Sequence, residues 1–130
     1  MLVVTPLLAA ALALQQLRLA FGIIGQRRGK RVSLGDGGDE RLLRTTRAFG
    51  NLTEYAPIML VLLACLELNL APTWLVALLA VAFLAGRILH PIGLIGEAGA
   101  SRGRVLGMHL TIWPIAVAAL ANVGWVVVGR

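Results

Sequence analysis

Charge is scarce in this sequence. Of 130 residues, 14% are charged and 58% hydrophobic, where a soluble domain carries roughly a quarter charged and about 45–50% apolar. A chain of this length suits one domain, and such a domain needs polar surface to cover its core. Too little is present, so many apolar residues must face something other than water. Cysteine is nearly absent: Cys65 stands alone inside an apolar run. An intrachain disulfide is excluded, and Cys65 is expected as a small buried hydrophobe. Histidine is short too. His90 and His109 have no cysteine or close carboxylate at ligand spacing, so no metal site is expected. No internal repeat is visible.

What charge there is clusters. The formal net charge is +6, and Arg27, Arg28, Lys30, Arg31, Arg41, Arg44 and Arg47 crowd one stretch. A basic patch first suggests nucleic acid. Here it lies between two hydrophobic segments, which points to a membrane-facing loop and no nucleic-acid partner.

Four segments read as membrane-spanning helices, at about residues 2–25, 41–70, 73–95 and 104–128, which implies an all-α integral membrane four-helix bundle. From Leu2 to Ile24 only Gln15, Gln16 and Arg18 are strongly polar. That length of helix rises about 35 Å, enough for a hydrocarbon core of about 30 Å. A cleavable signal peptide would open with basic residues; none precedes Arg18, so this segment is expected to remain as a span. Pro72 falls at the start of the third span, where a missing N–H costs little, and Pro91 is expected to kink that span near its end. The short link around Asn69 to Pro72 makes spans two and three an antiparallel hairpin. Loop one is strongly basic, loop three carries Arg102 and Arg104, and loop two has only Glu67. Loops one and three are therefore expected in the cytoplasm, with both termini on the other side; Arg130 at the tail weighs slightly the other way.

Charges inside a membrane helix are costly and usually face a protein interior or a wet cavity. On the second span Arg44, Arg47, Asn51 and Glu54 fall within an arc of about 80°. This polar stripe fits either a network tying helices together or a site for a small zwitterion, with arginines for carboxylates and Glu54 for an ammonium group. Tyr55 is an interface aromatic or a hydroxyl donor to the same place. On the third span Arg87 and His90 share a face. Arg87 could equally snorkel, and His90 could bond between helices. Arg102 and Arg104 open the fourth span, as topology anchors or as help for a helix terminus holding an anion such as a thiolate.

The run Arg44-Thr-Thr-Arg-Ala-Phe-Gly-Asn-Leu-Thr-Glu-Tyr-Ala-Pro57 resembles the second-helix signature of the MAPEG family, the membrane-associated proteins of eicosanoid and glutathione metabolism. Arg27-Arg-Gly-Lys-Arg-Val-Ser33 and Gly86-Arg87 followed by His90 are similar too, so the resemblance covers nearly the whole chain. It implies a homotrimer binding glutathione between subunits near the cytoplasmic side, with a lipophilic acceptor entering from the lipid bilayer. Carried over by motif, Arg44, Arg47, Asn51, Glu54 and Tyr55 would bind glutathione with Arg27, Arg87 and His90. Arg104, with Arg102 as the alternative, resembles the arginine that stabilises the glutathione thiolate. Leukotriene-forming members carry tyrosines three and seven residues after the third-helix arginine; here His90 and Leu94 stand there. That departure implies a divergent bacterial member of the inner membrane, a transferase or peroxidase acting on lipophilic electrophiles or hydroperoxides.

Two other classes compete. A small four-helix drug transporter would need an acid in its first span, and Leu2 to Ile24 has none. A membrane scaffold of the same fold without the chemistry would suit Leu94.

Overall fold

A computed structural model of the chain describes residues 1–96, 99 and 101–128. Four helices account for it: α1 (Val4–Lys30), α2 (Glu40–Leu68), α3 (Thr73–Gly96) and α4 (Arg102–Val127). No strand occurs among the described residues. Each helix is long and apolar enough to cross a bilayer. Large apolar side chains such as Leu7, Phe21, Val61, Trp74 and Leu120 lie on the outside, as expected where the solvent is hydrocarbon. Cys65 belongs with them: it is exposed, contrary to the buried position expected, because it points away from the Leu63 and Leu66 face that packs inward.

The helices begin and end where their sequences stop them. α1 runs on to Lys30, with Arg27, Arg28 and Lys30 in its last turn, where cations suit the helix dipole. Arg31 ends it in the left-handed region, at φ 56°. Asp39 caps α2 by accepting from the Leu42 N–H at 2.8 Å, and Arg41, Arg44 and Arg47 lie on α2. The basic cluster therefore occupies two facing helix ends, where a helix keeps its backbone hydrogen bonds satisfied, and little of it is loop. α3 continues as helix through Pro91. Ser101 caps α4, so Arg102 and Arg104 fall in its first turn. Arg130 lies outside the described residues.

α3 and α4 pack most extensively, α2 touches every other helix, and α1 and α4 do not meet among the described residues. Glycine brings α3 and α4 together. A Cβ on Gly86 would lie 2.8 Å from the Gly107 carbonyl oxygen, and one on Gly107 would lie 2.6 Å from the His90 nitrogen. Such close backbone approach is how membrane helices gain contact when burial offers no hydrophobic reward.

Polar ties join the remaining helices. Gln15 donates to the Arg87 carbonyl at 3.3 Å, and Gln26 donates to the Thr45 hydroxyl at 3.0 Å. Asn122 of α4 donates to the Leu62 carbonyl at 3.0 Å. At the opposite end from the basic cluster, α1 has no side-chain cap of its own. Glu67 of α2 supplies one. Its carboxylate accepts from the N–H groups of Val3, Val4 and Thr5 at 2.8, 2.9 and 2.8 Å, and from the Thr5 hydroxyl at 2.5 Å. An anion at a helix N-terminus meets both the orphan donors and the dipole.

Candidate functional site

The stripe on α2 is divided between inside and outside. Arg44 is half-buried and paired with Glu40 at 2.5 Å, one turn away. Arg47 and Glu54 are exposed. Neither has an ion-pair or hydrogen-bond partner for its side chain among the described residues. Asn51 stands between them, its amide turned back to the Arg47 carbonyl at 2.9 Å. Tyr55 is half-buried one position on.

Behind this stripe lies Arg87, 1% exposed and the bulkiest fully buried side chain among the described residues. Among the described residues no carboxylate pairs with it. Its guanidinium donates to the Asn51 carbonyl at 3.3 Å, to the Thr111 hydroxyl, and to the Met108 sulfur at 3.9 Å. It stands 5.5 Å from the Tyr55 ring centre and 5.8 Å from that of Phe83. A buried cation without a counter-ion is held only if dipoles and ring faces replace its water; here a carbonyl, a hydroxyl, a thioether and two aromatic rings do so. Its Nε still has no partner among the described residues. His90, one turn further, is 3% exposed with Nδ1 unpartnered.

Arg87, Asn51 and Tyr55 are thus brought together, with Arg47 and Glu54 outside them on α2. Arg27 and Arg104 are turned to other partners. Arg27 is half-buried and donates to the Gly35 carbonyl at 3.3 Å. Arg104 is exposed and donates to the Gly99 carbonyl at 3.4 Å. The start of α4 is already capped, since the Ser101 hydroxyl accepts from the Arg104 N–H at 3.2 Å while donating to the Gly93 carbonyl at 2.9 Å. Arg102 is exposed. No cluster of three or more metal-ligating side chains occurs among the described residues.

Sequence reasoning missed Thr111, Met108 and Phe83 as partners of Arg87. Thr111 could have been found, because a lone hydroxyl in the apolar run of α4 is a natural acceptor for a cation buried on a neighbouring helix. Met108 and Phe83 carry no such signal.

The same residues sit inside a match to a known family. The model of the MAPEG family fits residues 5–124, from the first turn of α1 almost to the end of α4. This chain belongs to the MAPEG family. It is also similar to the inner membrane protein YecN of Escherichia coli strain K12. The two are 36% identical over 119 residues, covering 92% of this chain and 89% of YecN. YecN of Escherichia coli O6:H1 matches to the same extent. As a MAPEG protein the chain is an all-α, four-helix membrane protein, in accord with the sequence reading. Of the residues in the family-like motifs, Asn51, Tyr55 and Arg87 meet one another, while Arg47 and Glu54 stand exposed outside them on α2.

Proposed function

We propose that this MAPEG protein is a glutathione-dependent enzyme of the bacterial inner membrane, acting on lipophilic electrophiles or hydroperoxides. The observation that carries this reading is the outward, unpaired state of Arg47 and Glu54. Two opposite charges on one helix face, left without partners among the described residues, match a ligand with carboxylates and an ammonium group. Glutathione has two of the former and one of the latter. Asn51 and Tyr55 add polar contacts between and beside them. Arg44 and Arg27 enlarge the basic surround, and His90 supports the same pocket from α3.

In this reading Arg87 braces the site from behind. Its burial and its bonds to Asn51 and Thr111 favour a positioning role, holding the α2 backbone and the Tyr55 ring, over direct contact with ligand. The outward stripe is half a site, completed by a neighbouring copy in a homotrimer that brings its own Arg27 and Arg104. Arg104 then faces the sulfur and favours the thiolate, the nucleophilic form. With an electrophile, the sulfur–carbon bond forms and the leaving group departs with its electron pair. With a hydroperoxide, the thiolate takes the terminal oxygen, the oxygen–oxygen bond breaks, and the alcohol leaves. A second glutathione then yields the disulfide and water. Loops one and three face the cytoplasm, where glutathione is available, and the acceptor arrives through the bilayer.

The test is thiol-dependent turnover in proteoliposomes, with a hydroperoxide and a haloarene offered in turn. Wild-type turnover should saturate with glutathione and fall at least tenfold in Arg104→Ala, within the range for losing one electrostatic stabiliser. No turnover of either acceptor class by folded protein would count against the enzyme reading and favour a scaffold.

A further inference from the structure

The basic end of α1 holds a recess that neither the α2 stripe nor the Glu67 cap uses. It measures about 340 Å³ and is lined by Ile24, Arg27, Arg28, Arg31, Val32 and Ser33. Ile24, Arg28 and Arg31 follow at spacings of four and three, so they share one face of α1. Ile24 is 44% exposed, and no large apolar side chain follows it on the helix. Arg28 and Arg31 are exposed. This face therefore passes from hydrocarbon to cation within one turn, the step that occurs at the depth of lipid headgroups. Arg31 ends α1 at φ 56°, and the Val32 N–H donates back to the Arg27 carbonyl at 3.0 Å. That turn brings Val32 and Ser33 to the recess. Arg27 forms a fixed wall, since its guanidinium donates to the Gly35 carbonyl at 3.3 Å. The side chains of Arg28, Arg31 and Ser33 make no hydrogen bond or ion pair to any described residue. The acids nearest in sequence are engaged. Asp36 accepts from the Gly38 N–H at 3.0 Å, Asp39 caps α2 and pairs with Lys30, and Glu40 pairs with Arg44. Cations at the end of a helix suit its dipole and fix its orientation in the membrane. Neither effect calls for a recess that sets them beside a hydroxyl and two apolar side chains.

We propose that this recess binds the headgroup of an anionic phospholipid, drawn from the leaflet at the basic end of the bundle. The phosphodiester oxygens accept from the Arg28 and Arg31 guanidinium groups, a charge-assisted contact, and the Ser33 hydroxyl donates to the same group. Arg27 adds its charge from the wall. The glycerol part of the lipid lies against Ile24 and Val32, which gives a lipid an advantage over a free phosphate. No carboxylate lines the recess, so the ammonium of a zwitterionic headgroup meets only like charge there. A headgroup without a compensating cation is therefore preferred, as in other basic pockets at a membrane edge. The inference needs the membrane-spanning fold and does not rest on the function proposed above.

The experiment is native mass spectrometry of the purified full chain in detergent, titrated with phosphatidylglycerol or with phosphatidylcholine of identical acyl chains. No glutathione is present and Arg27 is left intact, so failure of this site and failure of the enzyme reading are separable. Wild type should bind phosphatidylglycerol about tenfold or more tightly than phosphatidylcholine, as two headgroup-level cations allow. Arg28→Gln and Arg31→Gln should each weaken phosphatidylglycerol about fivefold, the effect of one such cation, with phosphatidylcholine unchanged. Arg41→Gln removes an exposed cation of α2 outside the recess and should leave both affinities as they are. The wild-type comparison decides even where a variant fails to fold. Three results would overturn the inference. The first is equal affinity of wild type for the two lipids. The second is an equal loss in Arg41→Gln and in the recess variants, which would mean diffuse attraction to the whole basic end. The third is displacement of the bound lipid by water-soluble glycerol phosphate, which would make the ligand a free phosphate.

Discussion

The α3–α4 seam and the outer face of α2 treat charge in opposite ways. In the seam, Arg87 is sealed from solvent and its guanidinium meets dipoles and rings: the Asn51 carbonyl, the Thr111 hydroxyl, the Met108 sulfur, Tyr55 and Phe83. On α2, Arg47 and Glu54 are exposed, and neither side chain has a partner among the described residues. Most of what the Arg87 guanidinium meets lies inside one chain, so Arg87 serves the fold, while its Nε and the His90 Nδ1 have no partner among the described residues. On the outer stripe Arg44 pairs with Glu40 and Asn51 turns back to the Arg47 carbonyl, while the Arg47 and Glu54 side chains have no partner among the described residues, and it is these two that the proposed ligand would meet. The family's second-helix motif spans both situations, which is why its letters alone do not separate brace from ligand contact.

The strongest way to break this contrast is to force the seam apart. Gly107→Val would place side-chain atoms against the His90 backbone and should cost about 3 kcal/mol or more, seen as a large fall in Tm in detergent. Gly124→Ala on the same helix meets open space and should leave Tm unchanged or slightly raised. Next comes the charge itself. Arg87→Leu leaves acceptors unmet on α2 and α4 and should destabilise by about 1–3 kcal/mol. Arg47→Ala, removing an exposed and unpaired side chain, should stay within about 0.5 kcal/mol of wild type. Equal losses in chemical denaturation would erase the distinction between brace and ligand contact.

The two ends of the bundle sharpen it further. Glu67→Gln keeps the shape but weakens the cap on α1, at a cost of about 1 kcal/mol. Faster hydrogen exchange at the Val4 and Thr5 amides would report it, with the basic end unaffected. The smallest effect is at Asp39. Its carboxyl is held below the usual range by the hydrogen bond from Lys30 and then by the Leu42 N–H. A depressed folded value stabilises above the unfolded pKa of about 3.9. That contribution is lost as pH falls through the lower folded value. Between pH 5 and pH 3, Asp39→Asn should therefore flatten the pH dependence of Tm slightly, and by less in high salt.

Much of the fold was legible because bilayer thickness and apolar run length are one-dimensional quantities. The four helices lie where the apolar runs do, and the Asn69–Pro72 link forms the turn between α2 and α3. The ends were less legible: α1 carries helix through Arg27, Arg28 and Lys30, residues that look like loop because charge and loop are correlated only on average. Cys65 went astray because a lipid-facing and a core-facing cysteine have the same neighbours in sequence. The stripe on α2 was readable from helical periodicity. Which of its members would turn inward was not, since that depends on Thr111, Met108 and the glycines of the α3–α4 seam, all distant in sequence. Glu67 looked like a lone acid in a short loop; its role needed the N-terminal turn of α1 beside it.

The central claim is that the α2 stripe, through Arg47 and Glu54, is a glutathione site, and calorimetric titration of glutathione into the detergent-purified protein tests it most directly. Wild type should bind, and Arg47→Ala, folded with an unchanged Tm, should lose binding by tenfold or more, as expected for a charge-assisted contact to a carboxylate. Binding that is absent from folded wild type, or that survives Arg47→Ala undiminished, would contradict the account.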